Sequence, residues 1–247
     1  MNDRFGNTPA ILIAGGQPFD DKAFKAIIAP ELNKFPNPRI AYIGTANGDR
    51  EGFFDMIYAM FKRAGAQRMD FLRLAREDAD IAGAAEALIR SDIIFLSGGE
   101  VDDGIDWLRK HGLVDLLKEQ FRNGKLFIGL SAGAIMIGAY WVRVGIPEDD
   151  GATEKLQRWV AGDLCPEVDA NIELFECLGL VPATFDTHAE NEGWVELKAA
   201  LRLKGNGARG YGIPRGGIIK ANGRGDLINL EREYLTFTYE NGEYSIT

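Results

Sequence analysis

At 247 residues, with 46% hydrophobic and 26% charged residues, the chain has the composition of a folded globular protein, which excludes disordered, collagen-like and coiled-coil architectures. A net charge of -9 at neutral pH argues against a general nucleic-acid or anionic-membrane surface, because neutralising phosphates takes a basic patch. Cys165 and Cys177 are too few for a disulfide framework and too far from histidine for a zinc site, so they read as buried thiols.

In chain order, Ala10 to Ile13 reads as a buried strand running into the loop Ala14-Gly15-Gly16, and Asp21 to Leu32 as an amphipathic helix. The pattern repeats: Arg39 to Ile43 is a strand, Phe53 to Ala64 a helix, Arg68 to Leu74 a strand, Asp78 to Arg90 a helix. Ile93 to Leu96 is a strand ending at Ser97-Gly98-Gly99, Leu113 to Phe121 a helix closed by Asn123-Gly124, and Leu126 to Leu130 a strand. Short apolar strands alternating with helices predict a parallel sheet covered on both faces, an α/β three-layer architecture with ligands at the carboxyl ends of the strands. Gly15-Gly16, Gly44-Thr45-Ala46, Gly98-Gly99 and Ser131 all fall at such ends.

Beyond that point Ala139 to Val144 is β-prone, Pro147 to Gly151 an acidic turn, Ile172 to Leu178 a short helix, and Phe185 to His188 a strand end. From Arg209 onwards, segments 217–221, 226–230, 234–239 and 243–246 form an antiparallel β extension with tight turns at Asn222-Gly223 and Asn241-Gly242. No composition break marks a linker, so residues 1–247 read as a single domain. No 18-residue apolar stretch and no charged-then-apolar leader is present, which makes a soluble, cytoplasmic protein the expectation.

The stretch that carries chemistry is Gly129-Leu130-Ser131-Ala132-Gly133, between the strand Leu126 to Leu130 and the helix-prone Ala134-Ile135-Met136-Ile137. It reads as a nucleophile elbow. A serine on a sharp strand-to-helix turn projects its oxygen outwards, the glycines permit close backbone approach, and the first N–H groups of the helix face any negative charge that develops. A serine nucleophile needs a base, and the chain holds two histidines. His111 sits at a helix end, where histidine commonly caps the last carbonyls; His188 lies downstream of the serine, flanked by Asp186, Glu190 and Glu192, and is the better base. The N–H groups of Gly99 and Ala132 are the candidate oxyanion donors. Tyr140-Trp141 and Trp159 read as core or pocket wall, and Glu148-Asp149-Asp150 as a solvated turn or a source of acid. Gly15-Gly16 matches no phosphate-loop pattern, so no cofactor and no metal is assigned.

Ile43-Gly44-Thr45-Ala46, Ile94-Phe95-Leu96-Ser97-Gly98-Gly99, the elbow Gly129-Leu130-Ser131-Ala132-Gly133-Ala134, and Leu178-Gly179-Leu180-Val181-Pro182 leading to His188 resemble the serine peptidase family of dipeptidase E and cyanophycinase. That family is a branch of the class I glutamine amidotransferase-like (flavodoxin-like) fold. The resemblance implies Ser131 as nucleophile, His188 as base and Gly99 with Ala132 as oxyanion hole. Serine where the parent amidotransferases carry cysteine points to peptidase-like chemistry. Three departures stand out: Glu100 replaces an asparagine or aspartate after the Gly-Gly, Glu190-Asn191-Glu192-Gly193-Trp194 replaces arginines after the histidine, and Gly212-Ile213-Pro214-Arg215 replaces a segment ending in a glutamate that can serve the histidine. A guanidinium cannot accept the imidazole N–H, so Asp149 and Glu190 become the substitute acids.

The leading expectation is a serine hydrolase, a peptidase or amidase of short peptides, with Ser131, His188 and Asp149 or Glu190 as catalytic residues. Gly98, Glu100 and Arg215 are its substrate-binding candidates. A catalytically impaired ligand-binding or partner-binding protein on the same fold is the alternative, and a homodimer is left open. An α/β-hydrolase esterase using Asp169 is disfavoured by the long β-rich segment after His188 and the lack of a His-Gly oxyanion motif.

Overall fold

Runs such as Ile93-Ile94-Phe95-Leu96 can satisfy both faces only inside a covered parallel sheet, and that is where the chain puts them. The computed structural model describes residues 9–16, 21–147 and 150–247. Strands β1 (Pro9–Ile13), β2 (Arg39–Ile43), β3 (Arg68–Leu72), β4 (Ile93–Leu96) and β5 (Leu126–Leu130) lie parallel, with β10 (Ile218–Asn222) and β11 (Leu227–Glu231) added antiparallel. The seven-stranded order is β11-β10-β1-β5-β4-β2-β3.

Because successive strand side chains point to opposite faces, the core divides by alternation. Ile11, Ile40, Tyr42 and Phe95 pack under helices α1 (Asp21–Leu32) and α2 (Glu51–Arg63). Leu12, Ala41, Ile94 and Phe127 pack on the other face under α3 (Ile81–Arg90), α4 (Val101–Lys110), α5 (Val114–Arg122) and α6 (Ala132–Ile137). The predicted start of α3 at Asp78 shifts to Ile81 because the Asp80 side chain caps it, accepting the Gly83 N–H at 2.9 Å.

The second half builds two smaller sheets. Strand β6 (Tyr140–Val144) pairs antiparallel with β7 (Ile172–Glu176), enclosing α7 (Ala152–Val160) and α8 (Pro166–Asn171) between them in sequence. The predicted helix at 172–178 is therefore a strand: Trp141 pairs with Phe175, and the Arg109 and Arg143 guanidiniums cover the Phe175 ring at 4.6 and 4.1 Å. Cross-strand packing overrides the local preference of a short segment. Strands β8 (Thr184–Thr187), β9 (Ala208–Ile213), β12 (Leu235–Glu240) and β13 (Glu243–Ile246) form the other sheet, with α9 (Val195–Lys204) packed on it through Leu197 and Leu201. The expected antiparallel extension is thus divided. Strands β10 and β11 join the main sheet, whereas β9 pairs β8 in parallel and β12 antiparallel.

Phe61 is fully buried and meets Phe24 and Phe95 edge-on at 5.3 and 5.4 Å. Phe61→Ala should cost about 3–5 kcal/mol, whereas Met56→Ala, at a position 48% exposed on the same helix, should stay within about 0.5 kcal/mol. Urea unfolding midpoints of the two variants check this.

Candidate active site

Ser131 stands between β5 and α6 with φ 53 and ψ -120, a conformation that costs a non-glycine residue about 1–3 kcal/mol and persists only when its surroundings impose it. Here they do. The Ser131 N–H donates to Ile13 O at 2.8 Å, and its carbonyl accepts from Ala134 and Ile135 at 2.8 and 3.2 Å. The flanking glycines are a matter of space: a Cβ on Gly129 would sit 2.4 Å from Gly133 O, and one on Gly133 would sit 2.1 Å from Leu96 O. The spacing of glycines around the serine is what lets α6 press onto the ends of β4 and β5.

Ser131 Oγ lies 2.8 Å from His188 Nε2. His188 follows β8 with φ 48, and its N–H donates to Ile213 O at 2.9 Å, so β9 fixes its backbone. Among the described residues none hydrogen-bonds its Nδ1. Glu190, one of the two substitute acids, instead accepts the Arg215 N–H at 2.6 Å. The other, Asp149, lies outside the described residues, as does Glu148. Asp169, the acid of the esterase reading, accepts from Trp159 Nε1 at 2.6 Å. His111 caps α4, stacks on Trp107 and has Nε2 2.8 Å from Leu74 O.

The Ser97-Gly98-Gly99 turn is held by a polar network that sequence reading did not find. Tyr42 OH donates to Ser97 Oγ at 2.9 Å, and Asn47 Nδ2 donates to Ser97 Oγ and Gly98 O at 2.7 and 3.1 Å. Gly99 has φ 140, and a Cβ there would lie 2.0 Å from Ala46 O; only glycine fits. Glu100 is tied back through its N–H to Ala46 O at 2.7 Å. The N–H of Ala132 opens α6, where a helix has no internal acceptor to offer.

A cleft of about 420 Å³ opens beside the pair, with Gly99, Glu100, Ser131, Ala132, Trp141 and His188 in its wall. Trp141 therefore lines the cleft, whereas Trp159 is core. Gly98 is buried against the elbow, where a Cβ would meet Ser131 Cβ at 3.1 Å. Arg215, expected among the substrate-binding residues, is not part of this wall: its side chain lies over Gly16, within 2.7 Å of where a Cβ would be. Arg143 is in the wall, and burial alone would depress its guanidinium, but Asp106 and Asp102 beside it more than reverse that. Asp186, also in the wall, is held well above the usual carboxylate range by burial and by Glu196, which the N–H groups of Thr187 and Leu197 only partly offset.

A doubly covered parallel sheet with a serine elbow at its carboxyl edge and a histidine on the serine oxygen defines a hydrolase-type α/β protein. The chain belongs to peptidase family S51, whose profile matches residues 10–226. It is 25% identical over 139 residues to the uncharacterized peptidase YgaJ of Bacillus subtilis (strain 168), a match spanning 56% of this chain and 57% of that protein. Two solved structures share the fold. A peptidase from an acI-B1 Actinobacterium superposes with a TM-score of 0.64 at 18% identity, covering 98% of this chain and 94% of the other. A proposed peptidase E from Listeria monocytogenes EGD-e gives 0.60 at 20% identity, with 92% and 98% covered. Family membership supports a serine peptidase. No helix among the described residues is long and apolar enough to cross a membrane.

Gly133→Ala should lower stability by about 1–3 kcal/mol or more, because the added methyl meets backbone that cannot step aside. Gly52→Ala, in the first turn of α2 with nothing near its Cβ position, should raise stability by about 0.5–1 kcal/mol. Opposite shifts in thermal unfolding are the expected result.

Proposed function

We propose that this protein hydrolyses peptide or amide bonds of small substrates through Ser131 and His188. The observation that carries the reading is the 2.8 Å contact between Ser131 Oγ and His188 Nε2 at a strained elbow. Ser131 Oγ attacks the carbonyl carbon while His188 Nε2 takes its proton, and the N–H groups of Gly99 and Ala132 stabilise the oxyanion. Collapse expels the amine, which receives that proton from His188; water, activated by the same nitrogen, then releases the acid and frees the serine. A cleft of about 420 Å³ favours short peptides, in keeping with a dipeptidase-like or cyanophycinase-like activity.

The second reading, a ligand-binding protein with impaired catalysis, is favoured by one observation: no described carboxylate orients the His188 ring. Loss of that orientation alone lowers turnover about 10⁴-fold in serine proteases. A fluorophosphonate probe separates the two readings. Wild type should label at Ser131, Ser131→Ala should not label, and His188→Gln should label at least about 10³-fold more slowly. Absence of wild-type labelling would establish the second reading.

A further inference from the structure

Gly99 occupies a conformation that L side chains rarely adopt, and the Ala46 carbonyl leaves no space there for a Cβ. Glycine meets both conditions, but it is also the residue about which a flanking peptide turns most freely. The peptide joining Gly98 to Gly99 is the one that matters, because it carries the Gly99 N–H. Gly99 lines the cleft with Ser131 and Ala132, and a Cβ on Gly98 would lie 3.7 Å from Ser131 Oγ, so this peptide borders the serine oxygen. Something must keep it in one orientation.

Asn47 supplies the hold. It is half-buried at the end of the short 3₁₀ turn Thr45–Asn47 that follows β2. Its Oδ1 accepts the Arg50 N–H at 3.1 Å, while its Nδ2 donates to Gly98 O at 3.1 Å and to Ser97 Oγ at 2.7 Å. A backbone N–H only donates and a carbonyl only accepts, so the amide cannot turn over without losing both backbone bonds. Among the described residues the Gly98 carbonyl accepts from no backbone N–H, and the Gly99 N–H donates to no backbone carbonyl. The next peptide is held by the same loop, since the Glu100 N–H donates to Ala46 O at 2.7 Å. A trans peptide directs its C=O and N–H opposite ways. With the Gly98 carbonyl on Asn47, the Gly99 N–H points away from it.

We infer, resting on the serine-hydrolase reading, that Asn47 is a positioning residue: its amide holds the Gly98 carbonyl and so keeps the Gly99 N–H available to the oxyanion formed at Ser131. The amide itself touches no substrate. A donor held this way acts on the state that bears the negative charge, so its loss slows the chemical step and leaves ground-state binding as it was. Aspartate at position 47 has the same shape and no N–H. It sets acceptor against acceptor at the Gly98 carbonyl, and the peptide relieves this by turning its Gly99 N–H towards residue 47, out of the site.

Labelling of Asn47→Asp and Asn47→Ala over a range of fluorophosphonate concentrations separates the rate at saturation from the concentration that half-saturates it. The saturated rate should fall about 10²-fold in Asn47→Asp and about tenfold in Asn47→Ala, with the half-saturating concentration within about twofold of wild type. Asp80→Ala, which uncaps α3 outside the cleft wall, should lose thermal stability yet keep the saturated rate within about twofold, so instability alone does not imitate the effect. A crystal structure of Asn47→Asp should show the Gly98 carbonyl swung off residue 47 and the Gly99 N–H facing the new carboxylate. An unchanged saturated rate in both Asn47 variants, a loss confined to the half-saturating concentration, or an unmoved Gly98-Gly99 peptide in Asn47→Asp would overturn the inference. Failure of the wild type to label would sink the hydrolase reading alone, and the crystal structure would still decide whether Asn47 sets the peptide.

Discussion

The rest of the arrangement depends on the close approach of Gly133 to the Leu96 carbonyl, where a Cβ would have no room. With no side chain between them, the first turn of α6 seats directly on the carboxyl ends of β4 and β5. That seating forces Ser131 into its positive φ, and the hydrogen bonds to Ile13 O and from the Ala134 and Ile135 N–H groups hold it there. Their combined contribution, about 1 kcal/mol each in net terms, is of the same order as the local strain. The same packing brings Gly98 against Ser131, where a Cβ would lie 3.1 Å from the serine Cβ.

The histidine comes from elsewhere. It follows β8 in the second sheet and is anchored to β9 through Ile213 O, while the short link from Pro214 to Gly217 carries the chain back to the main sheet. In that link the Gly216 N–H donates to Gly15 O and the Ala14 N–H donates to Gly217 O, stitching the two sheets together beside Ser131. Arg215 sits in the middle of the stitch, its N–H on Glu190 and its side chain across Gly16. Arg215 thus closes the loop that follows the histidine.

Much of this was legible in the sequence because the signals were local. Strands β2, β4, β5 and β13 begin and end where their apolar runs and turn residues say, and the elbow announces itself in five residues. His188 followed from there being only two histidines and from the helix-end setting of His111. What was not legible is long-range. Residues 172–176 become a strand because Trp141 and Val142 pair with Phe175 and Leu174, a fact absent from the segment itself. Helices α7 and α9 show apolar spacing only once Leu156, Trp159, Leu197 and Leu201 are known to be the buried positions. Glu190 beside His188 in sequence suggested an acid for the imidazole; the turn after β8 carries it instead to the Arg215 N–H. The Tyr42, Asn47 and Ser97 network joins three separate loops and strands, and no spacing rule connects them.

The stitching of the two sheets has a consequence for the order in which the chain becomes competent. Ser131 and everything that strains it lie within the first 137 residues and can be assembled as they leave the ribosome. His188 acquires its backbone anchor only when β9 has been made, and β9 in turn leans on β12, more than twenty residues further on. A nascent chain therefore carries the strained Ser131 turn before the histidine that meets its oxygen is in place.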